Sequence, residues 1–201
     1  MLINSHLSLE AQIRSVCKKA FYQIRRISRI RKFLDRPTCN SLVCALVSLH
    51  LDYANSLYYG LPEHLLDRLQ RVQNSAARLV TGSNRFASSI ALLKSLHWLP
   101  VRARIQYKIA VLAYRCINGC APSYLRELVT RYFPARALRS SHSNDLCVPK
   151  IKFNRYGRRS FMSAAPSVWN PLPLSLKLSP DLNSFCAGLK TPLFRLCNQL
   201  S

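Results

Sequence analysis

Acidic residues are scarce in this chain of 201 residues, in which 30 Lys and Arg outnumber 8 Asp and Glu and give a net charge of +22. Most cationic side chains therefore have no acidic partner within the chain and must face water, one another or an external polyanion. Arg accounts for 21 of the cations, and its planar guanidinium suits bidentate contacts with phosphate. This balance favours nucleic acid as a partner over a basic surface that binds nothing.

The same scarcity of carboxylates argues against catalysis. A polymerase or nuclease that uses two metal ions holds them with clustered carboxylates, whereas the acids here are single and widely spaced. Tyr53 is followed by Ala54 and Asn55, so no Tyr-x-Asp-Asp polymerase motif is present. The sequence also has no Gly-x-Ser-x-Gly elbow, phosphate-binding glycine loop or His-Glu-x-x-His motif. We expect no enzyme activity from this chain on its own, and no cofactor.

The sequence has no signal-peptide pattern at its start and no long uncharged apolar run. Its longest apolar stretch, residues 38–51, is too short and too polar to span a bilayer. These features predict a soluble intracellular chain with no membrane partner. The basic stretch at residues 25–32 fits a nuclear import signal, although a helix surface is the more common reason for such a stretch. We expect a nuclear location, with the cytoplasm as the alternative.

Eight cysteines are present, but they are scattered and lie mostly inside helical apolar patterns, as Cys44 and Cys116 do. We therefore expect buried, reduced thiols and no disulfide framework. Cys116-x3-Cys120 together with His142-x4-Cys147 offers four possible zinc ligands. Because Cys116 continues the apolar face of a helix and neither pair has the usual two-residue spacing, we expect no metal site.

Apolar residues recur with the three-and-four spacing of helices through the first two thirds of the chain. The pattern predicts helices over about residues 8–34, 38–51, 62–81, 90–96, 101–117 and 122–131. Residues 38–51 are expected to be largely buried, and Pro62 and Gly82 mark the start and the end of the third helix.

Beyond residue 133 seven prolines interrupt the pattern, which leaves a predicted strand at 148–153 and short helices at 160–169 and 181–196. The predicted fold class is mainly α: a helical region at residues 1–133 is followed by an irregular, basic, Pro-rich segment at 134–201 with short helices and at most a short strand or hairpin.

Basic residues cover the faces of the predicted helices opposite their apolar stripes. Residues 8–36 alone carry nine cations and two acids, and this face is either a nucleic-acid contact, a solvated surface or a membrane-surface helix. The residues that we expect to contact phosphates without reading sequence are Arg25, Arg26, Arg29, Arg31, Lys32, Arg68, Arg71, Arg78, Arg102 and Arg104.

Long sequence words also carry a family resemblance. They are residues 15–22 (SVCKKAFY), 27–34 (ISRIRKFL), 51–57 (LDYANSL), 59–62 (YGLP), 69–80 (LQRVQNSAARLV), 96–101 (LHWLPV), 118–125 (NGCAPSYL), 138–141 (LRSS), 164–173 (AAPSVWNPLP) and 184–185 (SF). In this order they closely resemble the C-terminal part of the reverse transcriptase polyprotein of non-LTR retrotransposons of the CR1, L2 and jockey-like LINE type. Three positions depart from the family pattern. Ala54 stands where many relatives have Cys, and Cys116 and Cys120 stand where small or apolar residues are expected.

The resemblance implies a piece that follows the polymerase palm, namely the thumb and the region after it. Residues 1–133 would then be a helical thumb-like bundle that grips the duplex of RNA template and DNA primer. The palm with its catalytic aspartates and the endonuclease would lie upstream, and a separate palm is a possible partner. The alternatives are a protein-interaction or scaffold fragment and a decayed element copy with no selected function.

Overall fold

The computed structural model describes residues 8–134, 143–151 and 157–199, with the backbone alone for residues 196–199. This part of the chain is mainly α-helical, as the periodicity predicts. It divides into two compact units, Met1–Arg104 and Ile105–Ser201. The change of texture predicted at residue 133 lies within the second unit, because residues 105–117 supply part of that unit's core.

The first unit is built from helices joined by short turns. Helix α1 (Glu10–Ile30) continues into a 3₁₀ turn (Arg31–Phe33), and it is followed by α2 (Arg36–Val43), a π segment (Cys44–Ser48), α3 (Leu49–Asp52), a 3₁₀ turn (Asn55–Tyr58), α4 (Glu63–Thr81) and α5 (Ser89–Ser95). Helix α6 (Val101–Ile117) begins in this unit and continues in the second.

Helix α4 packs against α1, and its ends follow the predicted punctuation. Pro62 occupies the N-cap position and Gly82 ends the helix in the left-handed region at φ 67°. The Ser83 N–H then donates to the Arg78 carbonyl at 3.2 Å, as expected after a glycine of this conformation. The predicted limits of this helix are confirmed.

The predicted helix at residues 38–51 is present but interrupted. Its buried apolar side chains are Cys39, Val43, Val47 and Leu51, which lie four residues apart. Such a spacing drifts around an α-helix of 3.6 residues per turn, and the wider π turn brings Val47 and Leu51 back to the buried side. The prediction that this stretch is largely buried is wrong, because Leu49 on its other side is exposed.

The described part of the second unit includes the C-terminal part of α6 and several further helices. These are α7 (Ser123–Arg126), α8 (Phe161–Trp169), α9 (Leu174–Lys177) and α10 (Leu182–Gln199). Its core stacks aromatic rings: the ring centroids of Tyr114 and Phe185 are 4.5 Å apart, and those of Trp169 and Phe185 are 5.7 Å apart. The helices predicted at 160–169 and 181–196 are confirmed.

The helix predicted at 122–131 ends early because its last residues pair with another segment. The Tyr132 N–H donates to the Asp145 carbonyl and the Cys147 N–H to the Thr130 carbonyl, both at 2.9 Å. The resulting antiparallel bridge between Arg131 and Leu146 is the only β pairing in residues 8–134, 143–151 and 157–199. No strand forms at 148–151, where Pro149 lacks an N–H group; the remainder of that prediction, 152–153, lies outside the described residues.

The Asn170 side chain makes two hydrogen bonds to the backbone of Leu146, as a neighbouring strand would. Its Oδ1 accepts from the Leu146 N–H at 2.9 Å and its Nδ2 donates to the Leu146 carbonyl at 3.0 Å. The Trp169 Nε1–H donates to the Asn144 carbonyl at 2.9 Å. Adjacent residues at the end of α8 thereby fix the loop at 143–147 on the core.

The cysteines whose side chains the structure describes are all free thiols. Cys39 and Cys116 are buried, as expected, and burial raises their pKa. Cys44, Cys120 and Cys147 are exposed. The predicted burial of Cys44 is therefore wrong, since the π segment that begins at this residue turns its side chain outward.

Candidate nucleic-acid interface

The solvent-facing side of α1 carries a straight row of cations, which we call the α1 stripe: Arg14, Lys18, Arg25 and Arg29. At about 100° per residue, these positions fall within about 60° of one another around the helix. They extend over fifteen residues, or about 22 Å. All four side chains are exposed, so the stripe is an accessible line of positive charge.

Most of the stripe has no internal counter-charge. Arg14 Nη2 lies 3.4 Å from Glu10 Oε1, whereas Lys18, Arg25 and Arg29 make no ion pair or side-chain hydrogen bond within the described residues. Arg25 and Arg29 are like charges four residues apart, an arrangement that destabilises a helix by about 0.2–0.5 kcal/mol. The fold therefore gains no electrostatic stability from this pair.

Exposed aromatic rings lie beside the stripe, each with a cation over its face. Arg26 Cζ is 5.8 Å from the centroid of the Tyr22 ring. Lys32 Nζ is 4.8 Å from the centroid of the Phe33 ring. Both distances are within the range of a cation–π attraction. Arg26 and Lys32 are thus exposed, and each contacts an aromatic ring instead of a carboxylate.

Arg31 has a structural role. Its Nε and Nη2 donate to the carbonyls of Leu79 and Val80 at 2.8 and 3.0 Å, and its Nη1 donates to the Leu34 carbonyl at 2.7 Å. The carbonyls at the end of α4 have no partner within their own helix and carry partial negative charge, so a guanidinium caps them well. Arg31 therefore links the ends of α1 and α4, and its side chain is half-buried instead of exposed.

Arg78 is also occupied internally. It is half-buried, and its Nη2 donates to Ser89 Oγ at 3.0 Å and to the Ala87 carbonyl at 3.5 Å. These bonds tie the C-terminal half of α4 to the start of α5. Its guanidinium is therefore not free for a phosphate.

Two arginines at the start of α6 face acids of the first unit. Arg104 Nη1 donates to Asp52 Oδ2 at 2.7 Å, and its Nε donates to the Leu99 carbonyl at 3.0 Å. Arg102 forms an ion pair with Glu63 and lies 3.2 Å from Asp67 Oδ1. Both charges are balanced by acids of the same unit. Arg104 is also part-buried, whereas Arg102 is exposed but faces two carboxylates.

Arg68 and Arg71 lie on the exposed side of α4. Arg68 Nη1 is 3.6 Å from Glu10 Oε1, which places it beside the start of α1. Burial raises the pKa of the nearby Cys17 thiol, and the positive charge of Arg68 partly opposes that rise. Arg71 is exposed and has no acidic partner in the described part of the chain. This pair adds two cations next to the α1 stripe.

Within the described residues, the ten predicted positions divide into three groups. Arg25, Arg26, Arg29, Lys32 and Arg71 are exposed without an acidic partner, Arg68 and Arg102 are exposed beside acids, and Arg31, Arg78 and Arg104 are part-buried and bonded within the chain. Sequence reasoning did not select Arg14, Lys18 or Tyr22. The signal for the first two is their spacing of four residues along the same face as Arg25 and Arg29.

No metal site is present among the described residues, where no three His, Cys, Asp or Glu side chains converge on a common point. Of the weighed zinc ligands, Cys116 Sγ contacts the Leu125 carbonyl, Cys120 Sγ the Asn118 carbonyl and Cys147 Sγ the Arg131 carbonyl. His142 lies outside the described residues. In the same part of the chain, no helix has both the length and the apolar character needed to cross a bilayer.

Comparisons of the chain with protein-family models, with curated proteins and with solved structures found no match. The retrotransposon resemblance therefore stays a prediction that rests on the sequence words themselves. The geometry of the basic surface is independent of that resemblance.

Proposed function

We propose that this chain binds nucleic acid without reading its sequence, through phosphate contacts made by the α1 stripe together with Arg26, Lys32, Arg68 and Arg71. The observation that supports the proposal best is the row formed by Lys18, Arg25 and Arg29, which is exposed and meets no acid in the part of the chain that the structure describes. Phosphates spaced along a polynucleotide supply what such a row lacks, a line of negative charge.

Phosphate binding releases counterions, so affinity is expected to fall steeply as salt rises. A protein that makes six to ten phosphate contacts loses roughly 10³ to 10⁵ in affinity between about 50 and 200 mM salt. Fluorescence anisotropy with a labelled oligonucleotide over a salt series measures this slope. Tight binding that is insensitive to salt contradicts the proposal.

Paired variants locate the contact. Arg25→Gln/Arg29→Gln removes two cations from the stripe, while Lys94→Gln/Lys190→Gln removes two exposed cations elsewhere. The first variant is expected to weaken binding strongly and the second only slightly, at equal net charge. Equal losses from both indicate that total charge, and not this surface, drives the binding.

We further propose that the chain is a thumb-like fragment of a LINE-type RNA-directed DNA polymerase and supports reverse transcription within the parent protein. The sequence words and the mainly helical fold support this assignment. A nuclear location goes with it, because the parent process acts on chromosomal DNA. A primer-extension assay with this chain alone should give no product, and nucleotide incorporation contradicts the assignment.

A protein-interaction role is the second candidate. The side chains of Leu46, Leu49, Tyr53 and Leu57 are exposed along the stretch from the π segment to the following 3₁₀ turn. Clustered exposed apolar side chains are typical of a surface that a partner chain covers. Two results together favour this role over the first. Nucleic-acid binding should be weak and insensitive to salt, and the chain should unfold in a single cooperative transition.

A further inference from the structure

We infer that the α1 surface takes single-stranded nucleic acid, with unpaired bases stacked on the rings of Tyr22 and Phe33. This inference rests on the proposed function and deepens it, because phosphate contacts alone do not distinguish a single strand from a duplex. The rings supply a contact that only unpaired bases can use.

Among the described residues, these rings are largely uncovered. Tyr22 is 60% exposed, Phe33 is 75% exposed, and Phe86 in the turn after α4 is 79% exposed. An aromatic ring this exposed contributes little to the core and leaves much of its apolar surface in water. A stacked base removes that surface from water without requiring any particular base identity.

Each of these rings is paired with a neighbouring cation. Arg26 lies over Tyr22, Lys32 over Phe33 and, at 4.8 Å, Arg85 over Phe86. In each pair the cation covers one face, and the exposed remainder of the ring is open to a base. The cation is then close enough to contact the phosphate of the nucleotide that stacks there.

The position of Tyr22 on α1 places its ring among the cations of the stripe. Tyr22 follows Lys18 by four residues and precedes Arg25 and Arg29 by three and seven, the spacings of one helical face. Phe33 follows eleven residues after Tyr22, about three turns or roughly 16 Å further along. That distance corresponds to about five nucleotides at a stacked spacing of ~3.4 Å.

The third ring extends the surface beyond α1. Arg31 bonds to Leu79 and Val80, so the ends of α1 and α4 adjoin. Phe33 follows the first of these ends and Phe86 follows the second. Phe33 and Phe86 therefore each follow one of two adjoining helix ends, and both carry a neighbouring cation.

A duplex gives these rings little to bind. Its bases are stacked on one another inside the helix, and only its phosphates and groove edges reach a convex helix face. Loss of the rings therefore affects single-strand binding selectively, whereas loss of stripe arginines affects every polynucleotide.

The test compares binding of four labelled probes of equal length, about 12 nucleotides or roughly 40 Å when stacked. They are a single strand, in DNA (dT) and RNA (rU) forms, a DNA duplex, and an abasic DNA strand that keeps the phosphates but has no bases. The variant is Tyr22→Leu/Phe33→Leu. The matched control is Tyr124→Leu/Phe133→Leu, which removes one exposed Tyr and one exposed Phe outside the first unit.

The ring variant is expected to lose at least about fivefold in affinity for the dT and rU strands. It should bind the duplex and the abasic strand as the unchanged chain does, and the control should bind all probes normally. Equal loss on the abasic strand, or no loss on the base-containing strands, overturns the inference. Circular dichroism verifies that both variants remain helical.

The two proposals fail differently. If Arg25→Gln/Arg29→Gln leaves binding to all probes unchanged, the proposed phosphate surface is wrong. If that variant weakens all probes while the ring variant weakens none, the phosphate surface stands and only the single-strand inference is wrong.

Discussion

The ammonium group of Lys177 lies 2.6 Å from the Asp145 carboxylate, and the Lys177 side chain is only 4% exposed. Lys177 Nζ also donates to the Asn170 carbonyl at 2.8 Å. This pair joins the loop at 143–147 to α9 in the second unit, at the point where the sequence pattern alone predicts irregular structure. A buried ion pair of this kind is sensitive to the loss of either partner.

Asp145→Asn is expected to destabilise the second unit by about 3 kcal/mol, because it leaves the Lys177 charge buried without a counter-charge. Urea unfolding followed by tryptophan fluorescence measures the change. Lys177→Met in the same background removes the stranded charge, so the double variant should recover much of the loss. A double variant that is as unstable as the two single losses added together contradicts the pairing.

The same pair predicts acid sensitivity. Burial opposes ionisation of Asp145, but hydrogen bonds from Lys177 and Ser143 and the charge of Lys177 outweigh it, so the Asp145 pKa lies below its ordinary value of 3.8. A folded-state pKa below the unfolded one gives stability that is present above the unfolded pKa and is lost as pH falls through the folded pKa. The stability difference between the unchanged chain and Asp145→Asn should therefore shrink between about pH 5 and about pH 2.

Subtracting the variant profile isolates this carboxylate. The pKa of Asp181 is also lowered, first by the Ser184 N–H and then by its hydroxyl, so the total acid response of the chain contains more than one group. A difference that stays constant down to the lowest pH contradicts a role for Asp145 ionisation.

Arg31→Met should destabilise the first unit, because it removes the cap on α4. Three hydrogen bonds from a charged donor are lost, and water replaces part of them at the helix end, so the expected cost is about 2 kcal/mol. Arg29→Met is the matched control: it removes a neighbouring, exposed arginine and should change stability by less than about 0.5 kcal/mol. Thermal unfolding of both variants measures the difference. Equal stability of the two variants contradicts a structural role for Arg31.

Arg25→Gln/Arg29→Gln should separate stability from binding. Relief of the repulsion between two like charges four residues apart gains about 0.3 kcal/mol, while loss of Arg29 from the last turn of α1 costs about 0.3–1 kcal/mol, so stability should change by less than about 1 kcal/mol. Binding should weaken, and the slope of log affinity against log salt should become shallower by about 2 for duplex DNA. Chemical unfolding and the anisotropy salt series give the two values for the same variant. A loss of binding that accompanies a loss of helix content points to unfolding instead.

Helix positions were largely predictable from the sequence because periodicity and punctuation are local. Pro62 and Gly82 limit α4 as expected, and residues 101–117 form the predicted helix. The wrong predictions concern segments whose structure depends on residues far away in the sequence. The predicted helix at 122–131 ends early because residues 130 and 132 bond to 147 and 145, which no local pattern reveals.

The same limit applies to predicting which basic residues are exposed and which are bonded within the chain. Spacing shows which arginines share a helix face, but it does not show what packs beside that face. Arg31 follows directly after the basic face of α1, yet its guanidinium binds carbonyls 48 and 49 residues away. Arg102 and Arg104 likewise meet acids 35 and 52 residues away. Arg25 and Arg29, in contrast, are exposed and meet no acid within the described residues.

The wide turn at Cys44–Ser48 holds one residue more than an α turn, because its hydrogen bonds span five residues instead of four. If the segment became an ordinary α turn without losing a residue, everything downstream would rotate about the helix axis. Leu51 would then leave the core, and Asp52 would no longer meet Arg104. Homologous chains that keep this contact should therefore either keep the wide turn or lack one residue across 44–48.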